Sequence, residues 1–270
     1  MPSPSARGAP EFLCSTVSLF GMALDRAFPL IAEAGFDGVE VMVTKDPDTR
    51  DPERLLELAN DHDLRIEAVH APFLLVTRKV WGTDPVGKIV RSVELAGRVG
   101  APLVVVHPPY RWQASYRRWL VERMDELVAS SGVRIAVENM FPLRIRGRKL
   151  ASFHARQALE DLERYPHVVL DTSHAAVAGL DPFAAIDRLG ERLAHVHLSN
   201  NAGRGWDSHL PLDQGVLPIP ELVRAIAAGG SARTIALELD LRTHRGDAAA
   251  LGRELARNRE LCRSLLTLGV

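Results

Sequence analysis

The feature that most constrains the fold is a repeated alternation of short apolar runs with longer stretches of helical pattern. Runs such as LVVV and IAVE are continuously apolar, which is typical of parallel strands whose two faces are both buried. A strand pattern of this kind occurs eight times. The predicted strands are Leu13–Leu19, Gly38–Val43, Arg65–Val69, Leu103–Val106, Arg134–Val137, Val168–Leu170, Leu193–Val196 and Thr234–Leu237.

Helical patterns follow each of these strands. Three helices are predicted to begin at an Asp-Pro pair, in which the aspartate caps the helix and the proline takes its first position. These pairs are Asp51-Pro52, Asp84-Pro85 and Asp181-Pro182. The predicted helices are Ala23–Ala34, Pro52–Asp61, Pro85–Val99, Ser115–Ala129, Ala155–Glu163, Pro182–Leu189, Pro220–Ala228 and Ala248–Leu265.

Eight strand–helix units in a chain of 270 residues predict an α/β fold, a single (β/α)₈ TIM barrel of ordinary size. A doubly wound open sheet shares the same alternation and is the alternative. Residues 1–11 are expected to form a flexible tail, and residues 12–270 the barrel domain. The longest irregular stretches, residues 141–154 and 200–218, both follow strands, where barrel enzymes build their active sites.

Composition excludes several classes of protein. A net charge of −1 gives no overall attraction to nucleic acid or to an anionic membrane. The chain has no apolar stretch of about 18 residues, and its first residues lack the apolar segment of a signal peptide. Cys14 and Cys262 match no disulfide pattern. A reduced, cytoplasmic protein without a membrane partner is therefore expected.

Metal-ligating side chains stand where predicted strands three to eight end. The carboxyl ends of the strands of a barrel share one face, so these side chains should converge there. Histidine and carboxylate sets suit Zn²⁺, Mn²⁺, Fe²⁺ or Co²⁺, and a cluster of acids would repel itself unless a cation were bound. The candidates are His70, His107, Glu138, Asp171, His174, His197 and Glu238, with Asp207 and His209 in the loop after strand seven.

At these residues the sequence resembles the xylose isomerase-like barrel superfamily, over roughly residues 12–268. The resemblance rests on the motifs GFDGVEV, HAPF, VVVHPP, AVEN, LDTSHAAVAGLD, HVHLSN, DSHLPLDQG and ELD. In sugar isomerases and epimerases of that superfamily, positions matching Glu138, Asp171, His197 and Glu238 hold one divalent metal (Zn, Mn, Mg, Fe or Co). The resemblance implies proton transfer through an enediolate, with Glu138 and Glu238 as the catalytic pair.

The endonuclease IV branch of the superfamily (AP endonuclease family 2) acts on abasic DNA and holds up to three zinc ions on positions that match all nine candidates. Two loops depart from that branch. Met140-Phe141-Pro142 replaces the small residues usual there, and Asp213-Gln214-Gly215 replaces GEG. These departures favour a metal-dependent isomerase or epimerase of a sugar, sugar phosphate or related polyol. An endonuclease IV-like zinc phosphodiesterase and a non-catalytic metal- or carbohydrate-binding barrel remain as alternatives.

Candidate substrate contacts lie in the loops after the strands. Aromatic faces there are predicted to line a sugar pocket, although packing explains them nearly as well. A basic loop, LRIRGRKL, predicts phosphate recognition, on a sugar phosphate or on a DNA backbone under the endonuclease alternative; a solvated basic loop is the other interpretation. A homo-oligomer also remains open. The residues concerned are Trp81, Trp112, Trp206, Arg144, Arg146 and Arg148.

Three further residues have expected roles in or around the barrel. Glu40 in GVEV is expected to point into the barrel behind the metal ligands, or else to be a buried acid paired with an arginine. His154 and His195 are expected to be structural. His195 is further expected to point outward, on the argument that it alternates with His197.

Overall fold

The computed structural model describes residues 9–73, 75–145, 148–154 and 158–267. The strands are β1 (Glu11–Ser15), β2 (Gly38–Met42), β3 (Arg65–His70), β4 (Leu103–Val106), β5 (Arg134–Glu138), β6 (Leu143–Ile145), β7 (Arg148–Ala151), β8 (Val168–Asp171), β9 (Leu193–Leu198) and β10 (Thr234–Leu237). Eight of them close into a parallel barrel in the order β1-β10-β9-β8-β5-β4-β3-β2. The predicted (β/α)₈ barrel is confirmed, and the open sheet is excluded.

The helices lie between the barrel strands, and the three Asp-Pro pairs begin helices as predicted. Asp51, Asp84 and Asp181 each accept a hydrogen bond from a backbone N–H of the first turn. None of the helices in the described ranges is long and apolar enough to cross a membrane. The helices are α1 (Leu24–Glu33), α2 (Pro52–Asp61), α3 (Pro85–Val99), α4 (Ala114–Glu122), α5 (Met124–Ser131), α6 (Leu159–Leu162), α7 (Thr172–Ala178), α8 (Pro182–Leu189), α9 (Ile219–Gly229) and α10 (Ala248–Thr267).

The apolar core has two layers. Alternate strand residues such as Val104, Ile135 and Leu170 belong to a large cluster packed between the sheet and the helices. The residues between them form a separate small cluster inside the barrel. This inner cluster leaves the carboxyl ends of the strands to polar side chains. Its members are Ala68, Leu103, Val105, Ala136, Val169 and Ala194.

The first predicted strand is wrong in its last four residues. β1 begins at Glu11, which the predicted tail contained, and ends at Ser15; Thr16–Leu19 form a 3₁₀ helix. The hydroxyl of Ser18 donates to the carbonyl oxygen of Leu237 at 3.1 Å and accepts from the N–H of Leu239 at 2.8 Å. The apolar run is continuous in sequence, but these bonds fold its second half over the end of β10.

Two other regions differ from the predicted elements. The helix expected over 115–129 is divided into α4 and α5, which meet at Arg123. The stretch 141–154, expected to be irregular, contains the antiparallel hairpin β6–β7. The helix expected over 155–163 is present as α6 alone, and residues 155–157 lie outside the described ranges.

Candidate metal centre

The nine predicted ligands lie together at the carboxyl ends of the strands. His70, Glu138 and Asp171 are the last residues of β3, β5 and β8, while His107 and Glu238 directly follow β4 and β10. The barrel therefore brings to one face side chains that are up to 168 residues apart between His70 and Glu238. The remaining four are His174 in α7, His197 in β9, and Asp207 and His209 in the loop after β9.

Three of the four residues that match the one-metal pattern converge on the fourth, His197. The Nδ1 atom of His197 lies 3.2 Å from Glu138 Oε1, 3.8 Å from Asp171 Oδ2 and 3.2 Å from Glu238 Oε2. One ligand atom from each of Asp171, His197 and Glu238 falls within 4.8 Å of the others. Asp171, His197 and Glu238 therefore have the spacing of a shared cation site, and Glu138 adjoins it through His197.

The other five candidates extend this group into one continuous cluster. The Nε2 atoms of His70 and His107 lie 3.5 and 3.1 Å from Glu138 Oε2. Asp207 Oδ2 lies 3.3 Å from the Nε2 atom of His174 and 2.7 Å from that of His209. His70–Glu138–His197 and Asp171–His174–His209 form two further triads with metal-compatible spacing. The cluster could hold more than one ion.

The hydrogen bonding of the carboxylates fits a cation. Oε2 of Glu138, Oδ2 of Asp171 and Oε2 of Glu238 are buried and accept no hydrogen bond of good geometry within the described part of the chain. A buried carboxylate oxygen without a donor loses its hydration without compensation, which is costly unless a metal or a proton replaces the water. Three such oxygens lie in one cluster with several imidazoles. Carboxylates and neutral imidazoles together are a typical ligand set of a divalent metal.

The pKa values of the acids are displaced in opposite directions. Burial raises the pKa of Glu238 and of Asp171 above their usual ranges. Burial also acts to raise the pKa of Glu138, but the charge of His197 and hydrogen bonds from neighbouring histidines outweigh it and hold that pKa well below its usual range. The two glutamates therefore hold protons with very different strengths, as an acid and base pair requires.

Asp171 is oriented by the start of α7. Its Oδ1 caps this helix by accepting the backbone N–H of His174 at 2.7 Å, so that Oδ2 is left for the cluster. The amide of Asn139 ties β5 to β8: its Oδ1 accepts the N–H of Asp171 at 2.6 Å, and its Nδ2 donates to the carbonyl oxygen of Asp171 at 3.1 Å. The sequence analysis did not assign Asn139 a role, although it stands inside the AVEN motif.

His209 is held in a strained backbone conformation, with φ at +39°. This left-handed region costs a non-glycine residue roughly 1–3 kcal/mol and persists only where the surroundings fix it. The neighbouring Leu210 exchanges two backbone hydrogen bonds with Asn200, at 2.8 and 2.9 Å. The imidazole Nδ1 of His209 also lies 3.1 Å from Ser199 Oγ. These contacts aim the ring of His209 at Asp207.

Glu40 lies behind the cluster, as one of its two expected placements required. Its Oε2 is 3.0 Å from His197 Nε2 and 3.2 Å from His195 Nε2, and its Oε1 accepts from Ser15 Oγ at 2.9 Å. The alternative, a structural acid paired with an arginine, is wrong. A carboxylate on Nε2 fixes the ring so that Nδ1 faces the proposed metal.

The expected outward direction of His195 is wrong. Side chains alternate with a period of two along a strand, so residues 195 and 197 share a face, and that face is the inner one. The imidazole of His195 is fully buried, and its Nδ1 lies 2.7 Å from Thr234 Oγ1. His195 thereby connects the first residue of β10 with Glu40 and His197. His154 is buried, with Nδ1 2.9 Å from the carbonyl oxygen of Pro108.

Glu40→Gln should weaken metal affinity about 10- to 100-fold, because an amide anchors the His197 imidazole less firmly than a carboxylate does. The measurement is the Co²⁺ dissociation constant, followed by the visible absorption of the bound ion. Glu67→Gln is the matched control, since Glu67 lies on the neighbouring β3 outside the cluster. Equal affinities in the two variants would remove Glu40 from the metal centre.

The predicted substrate contacts are only partly located. Trp81 packs against the main core. Trp112 is exposed and stacks on Tyr110 with ring centres 4.8 Å apart, and Trp206 is also exposed. The structure places Arg144 and Arg148 on the hairpin β6–β7, whereas Arg146 lies outside the described residues. A substrate role for these six residues stays a prediction.

A cavity of about 420 Å³ opens beside the cluster, between the loops that follow β1 and β10. Three of the nine candidate ligands line it, namely Asp207, His209 and Glu238. A closed barrel with buried histidines and carboxylates at this face defines a protein whose strand ends could bind a metal ion beside a ligand-sized cavity.

The chain belongs to the xylose isomerase-like TIM barrel family, whose sequence model matches residues 28–259. This match confirms the family resemblance predicted from the motifs. Two similar proteins are named only as uncharacterized. One, from Mycobacterium leprae, is 35% identical over 247 residues, which cover 83% of this chain and 87% of the relative. One from Mycobacterium tuberculosis is 34% identical over the same shares.

Solved structures show the same fold at lower identity. A D-tagatose 3-epimerase-like protein superposes with a TM-score of 0.73 and 22% identity, covering 96% of this chain and 97% of that one. A D-allulose 3-epimerase from Methylomonas, in complex with D-allulose, superposes with a TM-score of 0.67 and 17% identity, covering 94% of this chain and 97% of that one. A family 2 AP endonuclease from Brucella melitensis superposes with a TM-score of 0.67 and 19% identity, covering 89% of this chain and 96% of that one. The fold family thus includes sugar epimerases and AP endonucleases.

Proposed function

We propose that this protein is a divalent-metal-dependent isomerase or epimerase of a sugar, sugar phosphate or related polyol. The observation that carries the proposal is the convergence of Glu138, Asp171 and Glu238 on His197 Nδ1, with one oxygen of each acid left without a hydrogen bond. The similarity to a D-tagatose 3-epimerase-like protein and to a D-allulose 3-epimerase supports the same class.

Glu138, Asp171, His197 and Glu238 would hold the metal, which when bound would polarise a substrate carbonyl and neutralise negative charge on its oxygens. Proton transfer falls to the chain itself. Glu238 faces the cavity, and burial raises its pKa above the usual range, as suits a carboxylate that accepts and returns a proton. Glu138, whose pKa is held low, would be the partner on the other side of the reacting carbon.

The test is proton exchange between substrate and solvent. Protein loaded with Mn²⁺ or Co²⁺ is incubated in deuterated water with D-allulose, D-tagatose and dihydroxyacetone, the last being a small ketone that needs only the metal centre. We expect deuterium at the carbon next to the carbonyl, detected by NMR, and about one metal equivalent per chain. Absence of exchange in dihydroxyacetone, with metal bound, would contradict the proposal, whereas the two sugars also test the substrate class.

A second candidate is an endonuclease IV-like zinc phosphodiesterase acting on abasic DNA. The observation in its favour is that His70, His107, His174, Asp207 and His209 join the cluster beyond the four residues that one ion requires. This candidate predicts about three zinc ions per chain and cleavage of a duplex with one abasic site. An intact abasic strand after incubation with fully loaded protein would exclude it, and a loaded protein inert in both assays would favour a non-catalytic metal-binding barrel.

A further inference from the structure

The metal centre is open to solvent mainly on one side. The side chains of Asp207, His209 and Glu238 are 20, 15 and 13% exposed, whereas those of the other six candidate ligands are at most 8% exposed. These three more exposed residues are the ones that line the 420 Å³ cavity. A substrate whose oxygens occupy the metal centre therefore extends into this cavity.

The wall of the cavity is predominantly apolar. It includes Leu19, Met22, Val76, Leu239, Leu241 and Leu251. Its only neutral hydrogen-bonding side chains, among the described lining residues, are Ser18 and Ser208. The Ser18 hydroxyl already donates to the carbonyl oxygen of Leu237 and accepts from the N–H of Leu239. Ser208 accepts the N–H of Ala202 at 2.9 Å. A free polyol has a hydroxyl on every carbon, and the hydroxyls that face this apolar part of the wall would lose water without gaining a partner.

Three arginines line the cavity together with the acids Asp207, Glu238 and Asp240. Arg242 is held by Asp240, which accepts its Nε–H at 2.8 Å. Arg26 and Arg245 also line the cavity. Within the described residues, neither forms an ion pair with an acid. Two guanidinium groups without a carboxylate partner are suited to a bidentate anion.

Arg245 is held in place by the loop after β1. Its Nη2 donates to the carbonyl oxygen of Phe20 at 3.0 Å. Its guanidinium lies against Gly21, where a built Cβ would come within 2.5 Å of Nη2 and where φ is +87°. A side chain at position 21 would displace the arginine. One N–H of Arg245 is thus anchored, and the group is oriented before any ligand binds.

We infer that the substrate is not a free polyol but an amphipathic anion: adjacent oxygens at the metal centre, an apolar arm along Leu239 and Met22, and a terminal carboxylate or phosphate between Arg26 and Arg245. The inference rests on the metal centre and the proton transfer of the proposed function, and it replaces the free sugar or polyol as the substrate. It assigns the anion to α1 and the loop after β10, rather than to the basic loop after β5.

The inference is tested by binding instead of turnover, with hydroxamates that chelate divalent metals. The probes share this head group and differ in the arm. Acetohydroxamic acid has no arm, hexanohydroxamic acid has an apolar arm, and D-gluconohydroxamic acid has a polyol arm. The monohydroxamates of succinic, adipic and suberic acid have apolar arms of increasing length that end in a carboxylate. A matching phosphonate-ended arm distinguishes a phosphate from a carboxylate. Calorimetry on Co²⁺-loaded protein gives the dissociation constants.

We expect the best carboxylate- or phosphonate-ended probe to bind at least about tenfold more tightly than hexanohydroxamic acid, and the latter more tightly than the polyol probe. Arg245→Gln should remove the preference for the charged end. Arg242→Gln should retain it, because that guanidinium is already paired with Asp240. Gly21→Val should mimic the loss of Arg245 by pushing its guanidinium aside.

Two results overturn this inference while leaving the metal function intact: tighter binding of the polyol probe than of hexanohydroxamic acid, or an unchanged charge preference in Arg245→Gln. A different result, in which no hydroxamate binds and metal analysis finds no bound Co²⁺, contradicts the metal centre itself. The failure of the proposed function and the failure of the narrower inference are therefore read from different measurements on the same sample.

Discussion

Glu238→Gln should lower the rate of proton exchange between substrate and solvent by about 10²- to 10⁴-fold, which is the usual contribution of a positioned general base. The amide preserves the shape of the side chain and one oxygen donor, but it cannot accept a proton. The measurement is deuterium incorporation by NMR, with the metal content of each sample determined in parallel. Comparison at equal metal content separates loss of the base from loss of a ligand.

Glu221→Gln provides the matched control, because Glu221 is exposed in the first turn of α9 and lies outside the cluster. This variant should exchange protons at the rate of the unmodified protein. Exchange in Glu238→Gln that equals the control, with metal bound, would remove Glu238 from the catalytic pair and leave only its possible ligand role.

Binding of Zn²⁺, Mn²⁺ or Co²⁺ should raise the midpoint of thermal unfolding by about 5–10 °C. At a free metal concentration a hundredfold above the dissociation constant, linkage stabilises the folded state by about 2.7 kcal/mol. In a domain of this size each kcal/mol shifts the midpoint by roughly 2–4 °C. A chelator should reverse the shift. Asp171→Asn should lose most of it, and an equal shift in that variant would place the ion elsewhere.

The size of this shift should increase with pH. In the metal-free protein, burial lowers the pKa of His209, but Asp171 and Asp207 outweigh it and raise that pKa to about 10. Because this folded value lies above the unfolded value of about 6.5, the protonated ring stabilises the metal-free protein fully below pH 6.5, and this contribution is lost as the pH rises through 10. The charged ring of His209, beside Asp171, repels a cation at that carboxylate, so protons oppose metal binding at low pH. Calorimetric scans at pH 6 and pH 9 measure the difference.

The barrel was predictable because its signals are local and repeated. Eight apolar runs separated by capped helices leave few architectures, and the Asp-Pro pairs begin helices at Pro52, Pro85 and Pro182 as expected. Thr16–Leu19 could not be predicted in the same way, because Ser18 is fixed by Leu237 and Leu239, more than two hundred residues away in sequence. The hairpin β6–β7 was missed although Leu143-Arg144-Ile145 alternates apolar and polar residues, because its strands are only three and four residues long.

The convergence of the nine candidate ligands was predictable for a geometric reason: a residue at the end of a barrel strand must face the same mouth as its counterparts. Their ligand roles remain predictions. What the sequence did not indicate was the support behind them. Asn139 holds the backbone of Asp171 in β8, and His195 contacts Glu40, which in turn contacts His197. Asp171 and Glu40 are distant in sequence from Asn139 and His195 respectively. The direction of His195 needed only the period of a strand, which places residues 195 and 197 on one face.

The buried chain from Thr234 through His195 and Glu40 to His197 has a consequence for how such a barrel can diversify. Each side chain in this series is a hydrogen-bond partner of the next. A single substitution therefore leaves a buried polar neighbour without its hydrogen-bond partner. Exposed side chains of the mouth loops, such as Trp112, carry no such buried dependence. New specificities would therefore arise by exchange of loops around an inherited interior, and grafting this barrel's loops onto a relative should succeed more readily than transplanting its inner residues one at a time.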